Sequence, residues 1–287
     1  MTASRISSFV ELTKPRLTAL AVMATMVGFV MASGRPCAWS TLLITVIGAA
    51  FVGGGGNAMN EWYERDADAR MRRTQMRPLP TKRLTPLEAE WFAIILSLVG
   101  VAVLWLAHPL AAWLGVVTWI SYVAIYTPLK RVTALCTLVG AVPGALPPLI
   151  GWAAARGEIS LGGVVLFAIL FLWQLPHFLA IAWMYQDDYA RAGFRMLPLI
   201  DFGQDSTARQ VVLYSIALLP ASLVPTMIGL SGSRYFYATL IIGLWFIKTA
   251  VVAAWRRSPA SARQLFLGSI GYLPIVLSAM VLDRGLW

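Results

Sequence analysis

Apolar runs of membrane-crossing length recur from one end of this chain to the other and leave no room between them for a soluble core. A helix that crosses the hydrocarbon layer needs ~20 mostly apolar residues, and such runs fall at roughly 17–33, 41–60, 89–107, 109–126, 132–153, 160–184, 210–230, 236–255 and 265–283. Of the 287 residues, 59% are hydrophobic and only 13% are charged; soluble domains are about 45–50% apolar. The expected fold is all-α: a polytopic membrane bundle of nine transmembrane helices, forming a single domain over residues 1–287. His108-Pro109 separates two of the runs by almost nothing. Proline can begin a helix but not continue one, so a tight helix-to-helix turn is expected there. Merging the two runs would invert everything downstream.

Cationic side chains test the count. With the N-terminus in the cytoplasm, eighteen Lys and Arg residues fall on the cytoplasmic side. Four fall on the other: Arg35, Arg156, Arg234 and Arg284. Lys248 lies within a span. This asymmetry follows the positive-inside rule and places the N-terminus in the cytoplasm and the C-terminus in the periplasm. The net charge of +10 then reflects topology and attraction to anionic headgroups of the lipid bilayer. No nucleic-acid partner is implied, because there is no soluble basic face to bind one. Cys37 and Cys136 fall on opposite sides, without CxxC or zinc-like spacing, and read as buried bystanders. Neither a cleavable signal peptide nor an Arg/Ser-rich transit segment is visible. A bacterial inner (cytoplasmic) membrane is the expected location.

Two cytoplasmic connections are long, about 61–88 and 185–209, and both are rich in acid and base. Long loops in a compact bundle usually carry function. The first follows Gly53-Gly54-Gly55-Gly56, where missing side chains allow close helix approach. On a helix, Asn60, Glu64 and Asp68 recur every four residues and share a face. One amide and two carboxylates offer the hard oxygen ligands that Mg²⁺ takes together with substrate phosphates. Asp66 points away from that face. Arg72, Arg73 and Arg77 follow, and guanidinium forks match phosphate oxygens. Arg77-Pro78-Leu79-Pro80 makes a stiff exit.

The second constellation runs from Trp173 to Gly193. Pro176 predicts a kink inside an apolar span. His177 would share a face with Asp188 if the helix ran straight. His177 reads either as a hydrogen-bonded core histidine or as a proton carrier or axial metal ligand. Asp187 and Asp188 are candidates for a second cation or for ordering a lid. Tyr126 through Arg131 offers hydroxyls and two cations, Lys130 and Arg131, at the same membrane face. Gly140 through Gly151 carries Pro143, Pro147 and Pro148 and is expected to break the fifth helix, as at many internal ligand sites; ordinary helix irregularity is the alternative.

Asn60-x-x-x-Glu64-x-x-x-Asp68 resembles the first aspartate-rich motif of the UbiA superfamily of intramembrane aromatic prenyltransferases. That motif usually reads Asn-x-x-x-Asp-x-x-x-Asp. Glu11-Leu12-Thr13-Lys14-Pro15-Arg16, Arg73-Thr74-x-x-Arg77-Pro78-Leu79, Tyr126-Thr127-x-Leu129-Lys130-Arg131 and Gly144-Ala145-x-Pro147-Pro148-Leu149-x-Gly151 resemble its haem-farnesylating branch. So do Pro176-His177-Phe178 and Asp188-Tyr189-x-x-Ala192-Gly193-x-x-Met196-Leu197-Pro198. The match spans about residues 11 to 200, in order. Two departures stand out. Glu64 replaces the usual Asp, and Cys136 stands where that branch commonly has Asn.

The resemblance implies an Mg²⁺-dependent prenyltransferase taking farnesyl diphosphate and haem b, with transfer to the 2-vinyl group and hydration to haem O. It implies Asn60, Glu64, Asp68, Arg77 and Asp188 as catalytic residues, and Asn60, Glu64, Asp68, Asp187 and Asp188 as metal ligands. Arg72, Arg73, Arg77, Lys130 and Arg131 would bind diphosphate; that His177 and Tyr126 face haem is a separate expectation, which the resemblance does not itself supply. Delivery of product to a downstream haem A synthase or terminal-oxidase assembly is implied too. Two alternatives stay open: a superfamily member prenylating a quinone precursor or tetrapyrrole alcohol, and a transporter of an anionic metabolite.

Overall fold

The structure is a computed structural model that describes residues 5–34 and 37–284. Arg35, assigned above to the periplasmic side, lies outside the described residues. Among these there are only helices. A short α1 (Arg5–Leu12) precedes α2 (Pro15–Ala32), α3 (Trp39–Asp68), α4 (Pro86–Ala107) and α5 (Pro109–Ile120). A π-helical turn over Ser121–Tyr126 and a short α6 (Thr127–Leu129) prolong α5. Then come α7 (Cys136–Arg156), α8 (Leu161–Met184), the short α9 (Gln186–Ala192) and α10 (Leu197–Ile200), α11 (Asp205–Met227), α12 (Ser233–Arg256) and α13 (Pro259–Arg284). Nine helical stretches among the described residues are long and apolar enough to cross a membrane. They are the nine expected above, with ends shifted by up to eight residues.

Local chemistry explains the boundaries. Thr85 and Glu88 cap α4 reciprocally: Glu88 N donates to Thr85 Oγ1 (3.3 Å) and Thr85 N to Glu88 Oε2 (2.9 Å). His108 is extended (φ −165°, ψ 137°), as the residue before proline prefers, and its Nδ1 accepts from Leu110 N (3.1 Å). One residue thus turns α4 into α5. Gly157 closes α7 with φ +72°, a left-handed cap that costs glycine little.

Three sequence expectations change. First, α3 runs on to Asp68, so the acidic face belongs to the helix and the connection begins only at residue 69. Carboxylates near a helix C-terminus oppose the macrodipole, at ~0.3–1 kcal/mol each. Glu64 and Asp68 remain helical because cations from other elements reach them. Second, α7 is unbroken despite Pro143, Pro147 and Pro148. Gln174 on α8 packs against it and donates its Nε2 to Ala141 O (3.3 Å). Third, α8 stops at Met184 and α9 starts a new axis, so His177 and Asp188 do not share one helical face. Of Gly53–Gly56, Gly55 makes the close approach: a Cβ there would strike Ser97 Oγ on α4.

The helices pack in two sets joined through α7. On one side α3 packs on α4, and α7 on α2; on the other, α8, α11, α12 and α13 pack on one another. Far along α13, the buried Asp283 reaches across to cap α12. Its Oδ2 accepts from Gly232 N (2.5 Å) and Tyr235 N (3.2 Å). Asp283→Ala strands both donors and should cost about 1–3 kcal/mol, read as a lower thermal midpoint of the detergent-solubilised protein; Asp283→Asn should recover part of it.

Candidate functional site

At the end of α3 four polar side chains are buried on one side: Asn60, Glu61, Glu64 and Asp68, each 4% exposed or less. Each is met by a group from a distant part of the chain. Lys14, in the junction between α1 and α2, donates its Nζ to Asn60 Oδ1 (2.8 Å) and lies 4.0 Å from Glu61 Oε1. Its backbone is left-handed (φ 48°), and Pro15 follows at once. That turn directs a cation from the first membrane crossing onto α3. Asn60 Nδ2 donates to Thr127 Oγ1 (3.1 Å). The π-helical turn sets Thr127 there, since its N–H and hydroxyl both go to Tyr122 O. π-turns often sit at functional sites because they re-aim the residues that follow.

Lys130 Nζ lies 2.8 Å from Glu64 Oε1 and donates to Oε2 at 3.1 Å. The Tyr126 ring faces the same ammonium at 4.6 Å. Arg77 spans two carboxylates, with Nη1 donating to Asp68 Oδ2 (2.8 Å) and Nε 3.5 Å from Glu61 Oε1. Burial is the largest influence on Lys130 and lowers its pKa, but the charge and hydrogen bond of Glu64 together with Tyr126 and Tyr122 outweigh it, and the net direction is up. Arg77 is likewise raised: burial lowers it most, but Glu61, Asp68 and Glu64 together outweigh that burial. Lys14 goes the other way, down to about 8: burial dominates, Arg77 adds repulsion, and Glu61 and Glu64 recover only part.

The two acidic segments do meet. Asp188, buried on α9, accepts from the backbone N–H groups of Arg72 and Arg73 (3.2 Å each) and from Arg191. Arg195 N donates to Lys130 O (2.7 Å), which ties the second segment to the Lys130 turn. Asp188→Ala should free the Arg72–Arg73 backbone and raise the KM for a diphosphate substrate by roughly tenfold, with a smaller effect on kcat. Steady-state kinetics at varied diphosphate substrate would register it.

Not every expected residue converges. Asp66, Asp187, Arg72, Arg73 and Arg131 are exposed. Arg73 lies over the rings of Tyr185 (5.2 Å) and Tyr189 (6.0 Å). His177 sits on α8 against α13, with Nδ1 2.7 Å from Ser269 Oγ. Among the described residues no three His, Cys, Asp or Glu side chains converge to hold a cation unaided. Three buried carboxylate oxygens nevertheless lack a hydrogen-bond donor: Glu61 Oε2, Glu64 Oε1 and Asp68 Oδ1. Glu64 Oε1 has Lys130 as an ion-pair partner but off the hydrogen-bond direction. With the Asn60 amide, these are the hard, under-satisfied oxygens that a small divalent cation fits.

Two residues here were not among the sequence candidates, Lys14 and Glu61. Glu61 had a legible signal: with Glu64 and Asp68 it makes an i, i+3, i+7 series on one face. Lys14 stands in the Glu11–Arg16 motif, but nothing in the sequence ties it to α3; only the fold brings it there. Asn57, one turn earlier, is held by Thr13 O (3.3 Å), Thr18 Oγ1 (3.1 Å) and Tyr122 OH (3.1 Å). Thr13 and Thr18 also edge an apolar cavity of about 660 Å³ lined by Phe9, Val22, Phe51 and Phe92.

Cations from three other segments thus interleave a buried row of carboxylates at one end of an apolar bundle. The model of the UbiA prenyltransferase family matches residues 21–273. A relative from Solibacter usitatus (strain Ellin6076), named protoheme IX farnesyltransferase, is 47% identical over 96% of this chain and 98% of its own length. One of the same name from Koribacter versatilis (strain Ellin345) is 42% identical over 98% and 94%. Among solved structures, the apo UbiA homologue of Aeropyrum pernix K1 superposes with a TM-score of 0.78 at 19% identity, covering 93% of this chain and 98% of that one. A UbiA homologue of Archaeoglobus fulgidus bound to GPP and Mg²⁺ gives 0.68 at 15%, covering 96% and 99%. The chain is a multi-pass membrane protein and an enzyme, and it belongs to the UbiA prenyltransferase family.

Proposed function

We propose that the chain transfers the farnesyl group of farnesyl diphosphate to the 2-vinyl group of haem b, with addition of water, giving haem O and diphosphate. The observation that carries this reading is 42–47% identity, over almost the whole chain, to relatives named for that transfer. The Lys and Arg asymmetry supports a cytoplasmic N-terminus, a site on the cytoplasmic face and a periplasmic C-terminus, in a bacterial inner membrane. A downstream haem A synthase or terminal-oxidase assembly would receive the product.

Mg²⁺ would be held by Asn60, Glu64 and Asp68, with Asp188 at the edge and substrate phosphates completing the shell; Asp187 would join only by turning inward. A Mg²⁺-bound relative in the same fold is consistent with this. When bound, the ion supplies positive charge that stabilises the departing diphosphate. Lys130 and Arg77, now paired with Glu64 and Asp68, are the cations best placed to turn to the phosphate oxygens, with Arg72, Arg73, Arg131 and Lys14 around them. Such preset charges favour the state in which the allylic carbon–oxygen bond breaks and its electron pair leaves with diphosphate. The vinyl π-electrons of haem then form the new carbon–carbon bond. Water adds to the cation left on the side chain and gives up a proton. The apolar helices keep water from the allylic cation before that bond forms, and the cavity beside Thr13 and Thr18 offers room for an isoprenoid chain. Tyr126 and His177 would face the porphyrin.

Membranes carrying the protein, given haem b, labelled farnesyl diphosphate and Mg²⁺, should yield a farnesylated haem. Chelating the Mg²⁺ should cut the yield at least about tenfold. Transfer to a phenolic quinone precursor, with haem left unmodified, would overturn the acceptor assignment.

A further inference from the structure

The environment of His177 assigns its ring protons. Ser269 Oγ on α13 stands between two polar atoms, 2.6 Å from Phe266 O and 2.7 Å from His177 Nδ1. A hydroxyl has one proton, and a carbonyl can only accept. The hydroxyl proton therefore goes to Phe266 O, and the Ser269 oxygen accepts from His177. The imidazole carries its proton on Nδ1, and the lone pair sits on Nε2. Among the described residues Nε2 has no hydrogen-bond partner, and the ring is only partly covered.

The ring is also clamped. Trp173 stacks on it at 5.0 Å and 22°, and Phe266 lies at 5.1 Å. The indole N–H of Trp173 donates to Ser269 O (2.7 Å), so the group that sets the tautomer is itself held by the ring's neighbour. Nε2 is not sealed among the packed helices: it stays accessible, as a nitrogen that is to meet a ligand must. The ring is oriented through one nitrogen and left open at the other, the arrangement of a metal-ligating imidazole whose second nitrogen is fixed by an outer partner.

We propose that Ser269 is a positioning residue: it holds His177 with Nδ1 protonated, so that Nε2 donates its lone pair to the iron of the porphyrin acceptor. The inference rests on haem b being that acceptor. It assigns a role to a residue of the last helix that no motif in the chain marks, and it gives the acceptor a fixed point distant in sequence from the carboxylate row.

The test uses the full chain in detergent, titrated with ferric and ferrous haem b and followed by absorption and resonance Raman spectroscopy. The wild type should show an imidazole-ligated iron with an iron–imidazole stretching band. His177→Ala should lose that signature, and added imidazole should restore it. Ser269→Ala should bind haem about 10–100-fold more weakly, the usual effect of removing an outer partner of a ligating histidine, with a shifted band; Ser269→Thr, which keeps the hydroxyl, should recover both. A Ser269→Ala protein with wild-type affinity and an unshifted band overturns the positioning role, and a His177→Ala protein that keeps imidazole ligation overturns the ligand. Farnesyl transfer by the wild type, assayed alongside, separates the two levels. Transfer without imidazole ligation sinks this inference alone, whereas absence of transfer to haem sinks the acceptor reading beneath it.

Discussion

Joint replacement of Glu64 by Gln and Asp68 by Asn should lower farnesyl transfer by at least about a thousandfold while the bundle stays folded. The estimate follows from the ~10²–10³ cost of removing a single preset electrostatic group from a site that stabilises a departing anion. The amides keep the shape of the carboxylates and still offer oxygens to Lys130 and Arg77, so helix packing should survive. They lose the negative charge that draws a divalent cation between α3 and the diphosphate. They also leave Lys130 and Arg77 paired with neutral groups, so part of the loss would appear as a lower melting temperature. Turnover at saturating Mg²⁺ and a thermal melt, measured together, separate the two effects. Turnover within about threefold of wild type, in a protein that melts normally, would refute the carboxylate assignment.

A second large effect lies outside the carboxylate row. Gly28 on α2 and Gly151 on α7 mark a seam where two backbones touch. A Cβ on Gly151 would strike Thr25 O, and one on Gly28 would strike Pro148 O. Those obstacles are main-chain atoms, which cannot rotate aside. Gly28→Val or Gly151→Val should therefore force the helices apart and cost about 3 kcal/mol or more, seen as loss of a monodisperse solubilised protein or a sharply lower melt. Gly271→Ala is the control. No heavy atom lies within 4 Å of a Cβ built there, so it should be neutral or stabilise by up to about 1 kcal/mol through helix propensity alone. The seam bears on the site as well, since Lys14 immediately precedes α2. An activity loss steeper than the stability loss would reveal that link.

The site was unevenly legible from sequence. Asn60, Glu64 and Asp68 could be placed together because the α-helical repeat is a local property. The same rule, applied to Glu61, would have added it to the row. Proline content misled at Pro143, Pro147 and Pro148: a missing N–H weakens a helix in isolation, but α7 stays helical, packed against α2, α5 and α8. The straight-helix assumption linking His177 to Asp188 failed at Tyr185, where the chain turns into α9. Asp187 and Asp188 are adjacent and chemically alike, yet one is exposed and the other buried on two backbone N–H groups. No composition rule separates them.

Hydropathy and periodicity, summed along short windows, determined by themselves the nine stretches among the described residues that are long and apolar enough to cross a bilayer, and the acidic stripe that ends the second of them. Only the packed bundle decided which cation answers which carboxylate, that Lys14 joins them from the first crossing, and that Ser269 sets the ring of His177. Burial in hydrocarbon and a helical repeat depend on neighbours in the chain. An ion pair or a fixed tautomer depends on where separate helices meet, over separations that local patterns do not encode.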